Sequence, residues 1–332
     1  MRDGEPYWRR SVRLLDTIRR GGLAICTLQV TNRCNMRCSF CAFWSDGAPP
    51  PEELTLAQIE RLSAKLARLG SMIISVEGGE PTLRPDLPEL VAALAKHHHP
   101  VLYTNGWYID RAKARALYDA GLVGVGISLD YATREKHDAH RLEGSFDKVL
   151  AAVEHFKRAA PLTRRRVHLM TVLMEDNRDD IEPLLQLSKK LGVRHMVTLL
   201  AVGGHNRAQG KVQPKAESLS PWLLDLKKRH PHFVDLTDYL GSMDSYLRGE
   251  FSSPCQAGKR GFNVNHVGQA NPCIELTDVS VGHVLDLADD ELVRRLRSVP
   301  EVESCQKCFT ICRGNVQALG QKRIKPLLEL LT

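Results

Sequence analysis

The stretch "LAICTLQVTNRCNMRCSFC", residues 23–41, runs a β-branched apolar segment straight into three cysteines. Cys34, Cys38 and Cys41 stand at the spacing C-x3-C-x2-C. The apolar half reads as a buried strand, and the cysteine half as the loop at its C-terminal end. Thiolates bind soft metals and iron–sulfur clusters. A tetrahedral zinc site needs a fourth ligand, and none follows close by. A [4Fe–4S] cube on three thiolates leaves one iron open to a non-protein ligand, so the spacing favours iron–sulfur. Cys26, inside the apolar run, reads as a buried core thiol.

Working outward, the pattern alternates between strand and helix. "TLAQIERLSAKLARLG" places Ile59, Leu62, Leu66 and Leu69 on one helical face. Thr55 and Gln58 have capping-box spacing, and Gly70 fits the stop. Strands "MIISV", "VLYTN", "VGVGISL", "VHLMTVL" and "HMVTLLAV" follow in turn. Helices "LPELVAALAKH", "DRAKARALYDAG", "FDKVLAAVEHFKRA" and "IEPLLQLSKKLG" separate them. This alternation predicts an α/β fold with a parallel sheet and functional loops at the strand C-terminal ends. Six units are too few for an eight-fold barrel, so the expected architecture is a partial (β/α)6 TIM-like barrel, open on one side.

The chain's 332 residues allow one large domain and a small one. The sequence divides into an N-terminal helical extension (1–22), the partial barrel (23–204) and a connector with a helix (205–254). A cysteine-bearing module (255–320) and a C-terminal helix (321–332) follow. In the extension, Val12, Leu14, Leu15 and Ile18 suit a short amphipathic helix packed on the main body. Lys and Arg exceed Asp and Glu by 46 − 39 = 7, a weak excess, and only 6% of residues are aromatic. Nucleic acid is therefore not the expected partner. No apolar run approaches a membrane span, and the charged N-terminus lacks the apolar core of a signal peptide. A cytoplasmic location is expected, where nine cysteines argue for metal or cluster chemistry rather than disulfides.

The three-cysteine loop, with Phe40 before its last cysteine, resembles the hallmark of the radical SAM superfamily. The resemblance implies a [4Fe–4S] cluster on Cys34, Cys38 and Cys41. S-adenosylmethionine (SAM) would chelate its open iron, and Phe40 would lie near the adenine. "EGGEP" follows the second strand, and Gly78, Gly79, Glu80 and Pro81 correspond to the family's GGEP element. A cationic methionyl amine needs acceptors, which Glu80 and strand-end carbonyls can supply. Gly lets the backbone approach closely. "YTNGW" and "ISLD" end the third and fourth strands as in the family. Asn105, Ser128 and Asp130 are thus candidate ribose or carboxylate contacts. By the same resemblance Arg141, in "HDAHRLEGSFDKVL", would pair with the SAM carboxylate.

The late cysteines resemble the SPASM and twitch modules attached to many radical SAM enzymes. Cys255, Gly268 and Cys273 give C-x12-G-x4-C, and "CQKCFTIC" adds Cys305, Cys308 and Cys312. The usual cysteine four residues further on is absent, since position 316 is Val316. Five cysteines allow one fully ligated auxiliary [4Fe–4S] cluster, assigned to Cys255, Cys273, Cys305 and Cys308. Cys312 is left over, as a buried thiol or as an alternative ligand. The spacing also permits a structural zinc site.

These resemblances imply a radical SAM oxidoreductase or maturase. A flavodoxin- or ferredoxin-type reductant would drive cleavage of SAM to a 5′-deoxyadenosyl radical, which takes a hydrogen atom from substrate. A net two-electron oxidation would follow, either alcohol dehydrogenation or maturation of a peptide or natural product. The substrate is a peptide or a small molecule. The alternatives are a radical SAM epimerase, an RNA-modifying enzyme, and a non-catalytic iron–sulfur or zinc scaffold. His97, His98 and His99 read as a helix end rather than a metal site. His205, Asn206 and Arg207 face substrate or form a solvated linker. Trp44 lines the cavity or simply packs.

Overall fold

The protein is described from a computed structural model over residues 4–46, 49–161, 166–202 and 210–320. Strand β1 (Ile25–Thr31) is buried at all seven positions. It owes this to its place inside a nine-stranded sheet, with a parallel neighbour on each side. The other strands are β2 (Ile73–Gly78), β3 (His99–Thr104), β4 (Gly124–Ser128), β5 (Val167–Leu173), β6 (Arg194–Leu199), β7 (Gly261–Val264), β8 (Gln269–Asn271) and β9 (Gly282–His283). Their order is β6-β5-β4-β3-β2-β1-β7-β8-β9, and the sheet is not closed. From β6 to β7 every pairing is parallel; β7, β8 and β9 pair antiparallel. The six expected strands are all present, and the chain is an α/β partial barrel. One sheet carries the strand of the cysteine loop and the hairpin of the late-cysteine segment.

Helices α1 (Tyr7–Arg19), α2 (Leu56–Leu69), α3 (Leu87–Ala95), α4 (Arg111–Ala120), α5 (Arg134–His140), α6 (Ser145–Ala159) and α7 (Ile181–Leu191) accompany the parallel strands. Then come α8 (Leu219–Arg229), α9 (Thr237–Gly241), α10 (Met243–Leu247), α11 (Asp289–Arg297) and α12 (Ile311–Gly320). The Thr55–Gln58 capping box opens α2, and Gly70 at φ +143° ends it. Strand periodicity divides the faces. Along β2, Ile74 and Val76 point outward into a core shared with Ile59, Leu62 and Leu66 of α2 and Leu90 and Leu94 of α3. Ile73, Ser75 and Glu77 point inward and line a cavity.

Helix α1 does not bury the face its apolar residues suggested. Val12 is 57% exposed and Leu15 42%, while Arg10, Leu14 and Thr17 are buried. The reason is polar: the Arg10 guanidinium donates to the carbonyls of Ala95 and His98 at the end of α3, which rotates that side inward. Leu14 and Ile18 do pack, against Val316 and Leu319 of α12. The connector, read as one helix and an irregular stretch, also holds α9 and α10. They share a core with the outer faces of β5 and β6. The expected C-terminal helix, residues 321–332, lies outside the described residues. Gly268 turns the β7–β8 hairpin at φ +83°, where a Cβ would sit 2.3 Å from His283 Nε2. That close approach accounts for the glycine between Cys255 and Cys273.

Candidate active site

The cysteine loop caps the C-terminal end of β1 over a cavity of about 320 Å³, and Cys34, Cys38 and Cys41 all line it. Thr31 and Arg33 fix the loop's start. The Thr31 hydroxyl and the Arg33 guanidinium (2.9 and 3.0 Å) both donate to buried Glu53. N–H donors point at the sulfurs: Met36 N at 3.4 Å and Asn105 Nδ2 at 4.0 Å from Cys34, and Arg141 Nη1 at 3.8 Å from Cys38. Burial pushes the Cys34 thiol up to about 12 and raises Cys38. Both stay protonated at neutral pH until a bound cation displaces the proton. Among the described residues no three His, Cys, Asp or Glu side chains converge on a single ion. A cube spreads its thiolates more widely than one ion does. Three cavity-facing sulfurs, two of them with N–H donors directed at them, fit that larger group.

The end of β2 presses against this loop. Gly79 N donates to Thr31 O (2.7 Å) and Glu80 N to Arg33 O (2.9 Å). A Cβ on Gly78 would lie 2.0 Å from Thr31 O, and one on Gly79 would lie 2.3 Å from Arg33 O. Both glycines line the cavity, as does Asn105. Glu80 is fully buried, and its carboxylate serves the protein itself. It accepts from Thr82 N (3.0 Å), Thr82 Oγ1 (2.5 Å), Thr104 Oγ1 (2.7 Å) and Asn105 N (2.7 Å). Burial raises its pKa against those four bonds. Pro81, also buried, opens a 3-10 turn behind it.

Phe40, Ser128 and Arg141 line the same cavity. Asp130 lies behind Arg141 and is fully buried. Arg141 Nε donates to Asp130 Oδ2 at 2.6 Å, and the guanidinium lies 5.4 Å from the Phe40 ring centroid. Burial opposes the Arg141 charge, but Asp130 and Cys38 outweigh it and raise its pKa. Val172 N bonds the other Asp130 oxygen (2.9 Å), and Asn177 Nδ2 bonds its carbonyl (2.9 Å). A further group escaped the sequence reading. His140 stacks on Tyr131 at 4.5 Å and approaches Ser39 of the cysteine loop at 3.3 Å. Lys211 joins Tyr131 and Asp176 beside it. These partners come from segments far apart in the chain, and no local spacing announces them.

The late cysteines come together across the cavity. Cys255 and Cys308 are buried, Cys273 and Cys305 partly so, and none is in a disulfide. Cys273 lies within electrostatic range of Cys308 and Cys255, and Cys255 within range of Cys305, while burial raises the pKa of Cys255, Cys273 and Cys308. The organiser is Arg313, only 3% exposed. It donates to Cys305 O (3.2 Å), Cys308 O (2.9 Å) and Ser253 O (3.1 Å). Ile274 and Glu275, just after Cys273, line the cavity, as do Thr310, Ile311 and Cys312 after Cys308. Trp44 lines it as well and donates Nε1–H to Cys41 O (3.0 Å). His98 is held between Ser63 O (3.0 Å) and Met72 N (3.3 Å). His205, Asn206 and Arg207 lie outside the described residues.

An open parallel barrel with this loop over its cavity defines the class. The chain belongs to the radical SAM superfamily. Residues 28–188 match the family model described as the radical SAM superfamily. Members of that superfamily use a [4Fe–4S] cluster and SAM. The chain is 30% identical to the mycofactocin maturase MftC of Mycobacterium tuberculosis over 327 residues, covering 92% of this chain and 82% of that protein. Its fold is similar to Streptococcus suis SuiB bound to S-adenosylmethionine, with a TM-score of 0.64 and 16% identity over 96% of this chain and 79% of that one. SuiB bound to precursor peptide SuiA gives a TM-score of 0.59 and 16% identity, covering 97% and 80%. Among the described residues no helix is long and apolar enough to cross a membrane.

Proposed function

We propose that this enzyme matures a peptide by a net two-electron oxidation, in which SAM would serve as co-substrate and a second [4Fe–4S] cluster, held by the late cysteines, would supply an electron acceptor. The observation that carries this reading is the shared cavity. The Cys34–Cys41 loop forms one wall, and the residues following Cys273 and Cys308 form another. A group bound on the first loop would thus act on a substrate that also faces the second cluster site. The peptide class rests on the relatives: one is named a maturase, and SuiB was solved with a precursor peptide.

In this reading Cys34, Cys38 and Cys41 hold the first cluster, and Cys255, Cys273, Cys305 and Cys308 the second. SAM bound at the open iron supplies the hydrogen-abstracting chemistry. The chain's own residues bind and orient. Arg141, aimed by Asp130, offers a fork to the SAM carboxylate. Phe40 packs near the adenine, Gly78 and Gly79 bring carbonyls close to the methionyl amine, and Asn105 and Ser128 supply polar contacts. Glu80 acts by fixing Asn105 and the GGEP backbone. A flavodoxin or ferredoxin is the expected reductant.

Anaerobically reconstituted protein should carry about eight irons per chain, four for each cube. Replacing Cys34, Cys38 and Cys41 together with Ala should leave about four. Replacing Cys305 and Cys308 should stop product formation while some uncoupled 5′-deoxyadenosine formation survives. Stoichiometric zinc with little iron would overturn the two-cluster reading. Cys312, lining the cavity outside the set of four, supports a second reading in which a thiol returns hydrogen and the product is an epimer. A product about two hydrogens lighter than its substrate favours oxidation, and one of unchanged mass favours the epimerase.

A further inference from the structure

A second concavity, of about 530 Å³, opens where α6 and α7 end and β5 and β6 begin. It lies at the opposite end of the strands from the cysteine loop. Lys157, Arg158, Lys189 and Arg194 line it, with Glu154 as its one carboxylate. Glu154 is already shared by Lys157 (2.9 Å) and Arg158 (3.9 Å).

Cations in the last turns of α6 and α7 are ordinary complements to the helix dipoles, which accounts for the two lysines and Arg158. It does not account for Arg194. That residue opens a strand, is partly buried, and has Arg166 as its charged neighbour. Burial and the like charge both lower its pKa, and it makes no ion pair among the described residues. Partly burying a cation beside another cation is costly unless an anion completes the site.

We propose that this groove docks an acidic segment of the peptide substrate, outside the residues that react. The proposal rests on the peptide reading above. Carboxylates suit the guanidinium forks of Arg158 and Arg194. The lining argues against nucleic acid: no Phe, Tyr or Trp offers a stacking surface, and the cations form one groove rather than an extended basic face.

The test uses the full chain and a fluorescein-labelled hexaglutamate peptide, with a hexaglutamine counterpart, followed by fluorescence anisotropy. Hexaglutamate should bind about tenfold more tightly than hexaglutamine and weaken as salt rises from about 50 to about 200 mM. Arg194→Gln and Lys189→Glu should each reduce hexaglutamate affinity several-fold, with iron content and melting temperature unchanged. Equal binding of the two peptides would overturn the proposal. So would indifference to both substitutions, or displacement of hexaglutamate by an oligonucleotide of equal charge at lower concentration. Uncoupled 5′-deoxyadenosine formation is measured on the same preparations. Its absence in the native chain would sink the enzymatic reading and leave the groove result standing. A failed groove result beside intact SAM cleavage sinks only the groove.

Discussion

Glu80 is where sequence motif and structural role part company. Its acid, in a strand-end GGEP element, invites a direct contact with a cationic ligand. The fold spends both oxygens on Thr82, Thr104 and Asn105, and Glu80 does not line the cavity. Its carboxylate ties the end of β2 to the end of β3, which in turn sets Asn105 beside Cys34. Glu80→Gln keeps the shape but turns one acceptor into a donor facing N–H or O–H groups. A buried mismatch of this kind costs about 1–3 kcal/mol. The melting temperature should fall by several degrees in a chain of this size. SAM affinity should fall with it, since Asn105 loses its anchor. Differential scanning calorimetry and equilibrium SAM binding check the two effects together. Weaker SAM binding with an unchanged melting temperature would restore a direct role for the carboxylate.

At the scale of elements, strand and helix order was readable because apolar periodicity is a local property. β1 through β6 and α2, α3, α4, α6 and α7 follow from runs of apolar residues, with Thr55 and Gly70 as punctuation, whereas α5, which has no Val, Ile or Leu, gave no such signal. What stayed hidden depends on partners distant in sequence. The burial of α1 turns on Arg10 reaching carbonyls some 85 residues away. The cysteines of the late segment could be counted from sequence, but not the residue that gathers their loops. Arg313, in the first turn of α12, reads as a surface charge until three backbone carbonyls close on it. It therefore carries a prediction. Arg313→Met keeps the bulk but leaves those carbonyls without their donor. Reconstituted iron should fall from about eight toward about four per chain, with the first cluster retained. Iron analysis with electron paramagnetic resonance distinguishes loss of one cluster from loss of both. Full retention of iron would mean the cysteine loops hold their shape without the clasp.

Across the whole molecule, burial of ionisable groups sets the response to pH, and opposing groups must be separated by sign. His98 and His195 are buried, and burial holds each down to about 3. Unfolding lets them bind protons below their ordinary value near 6.5, so stability falls as pH drops through that range. Asp235 works in the other direction. It is 1% exposed, accepts Val197 N–H at 2.6 Å through one oxygen, and leaves the other without a hydrogen-bond partner among the described residues. Burial raises its pKa to about 8, against that bond and the charge of Lys227. Between roughly pH 4 and pH 8 the folded chain therefore keeps a proton that the unfolded chain has released. Stability from this group is fully present below about pH 4, declines as pH rises toward 8, and levels off above it. Asp235→Asn preserves an acceptor for Val197 and removes the titration. The difference in melting temperature between variant and native protein should grow in the variant's favour from pH 5 to pH 8. The histidine contributions are common to both and cancel in that difference. A difference independent of pH would show that Asp235 is already ionised in the folded protein, with an added partner at its second oxygen.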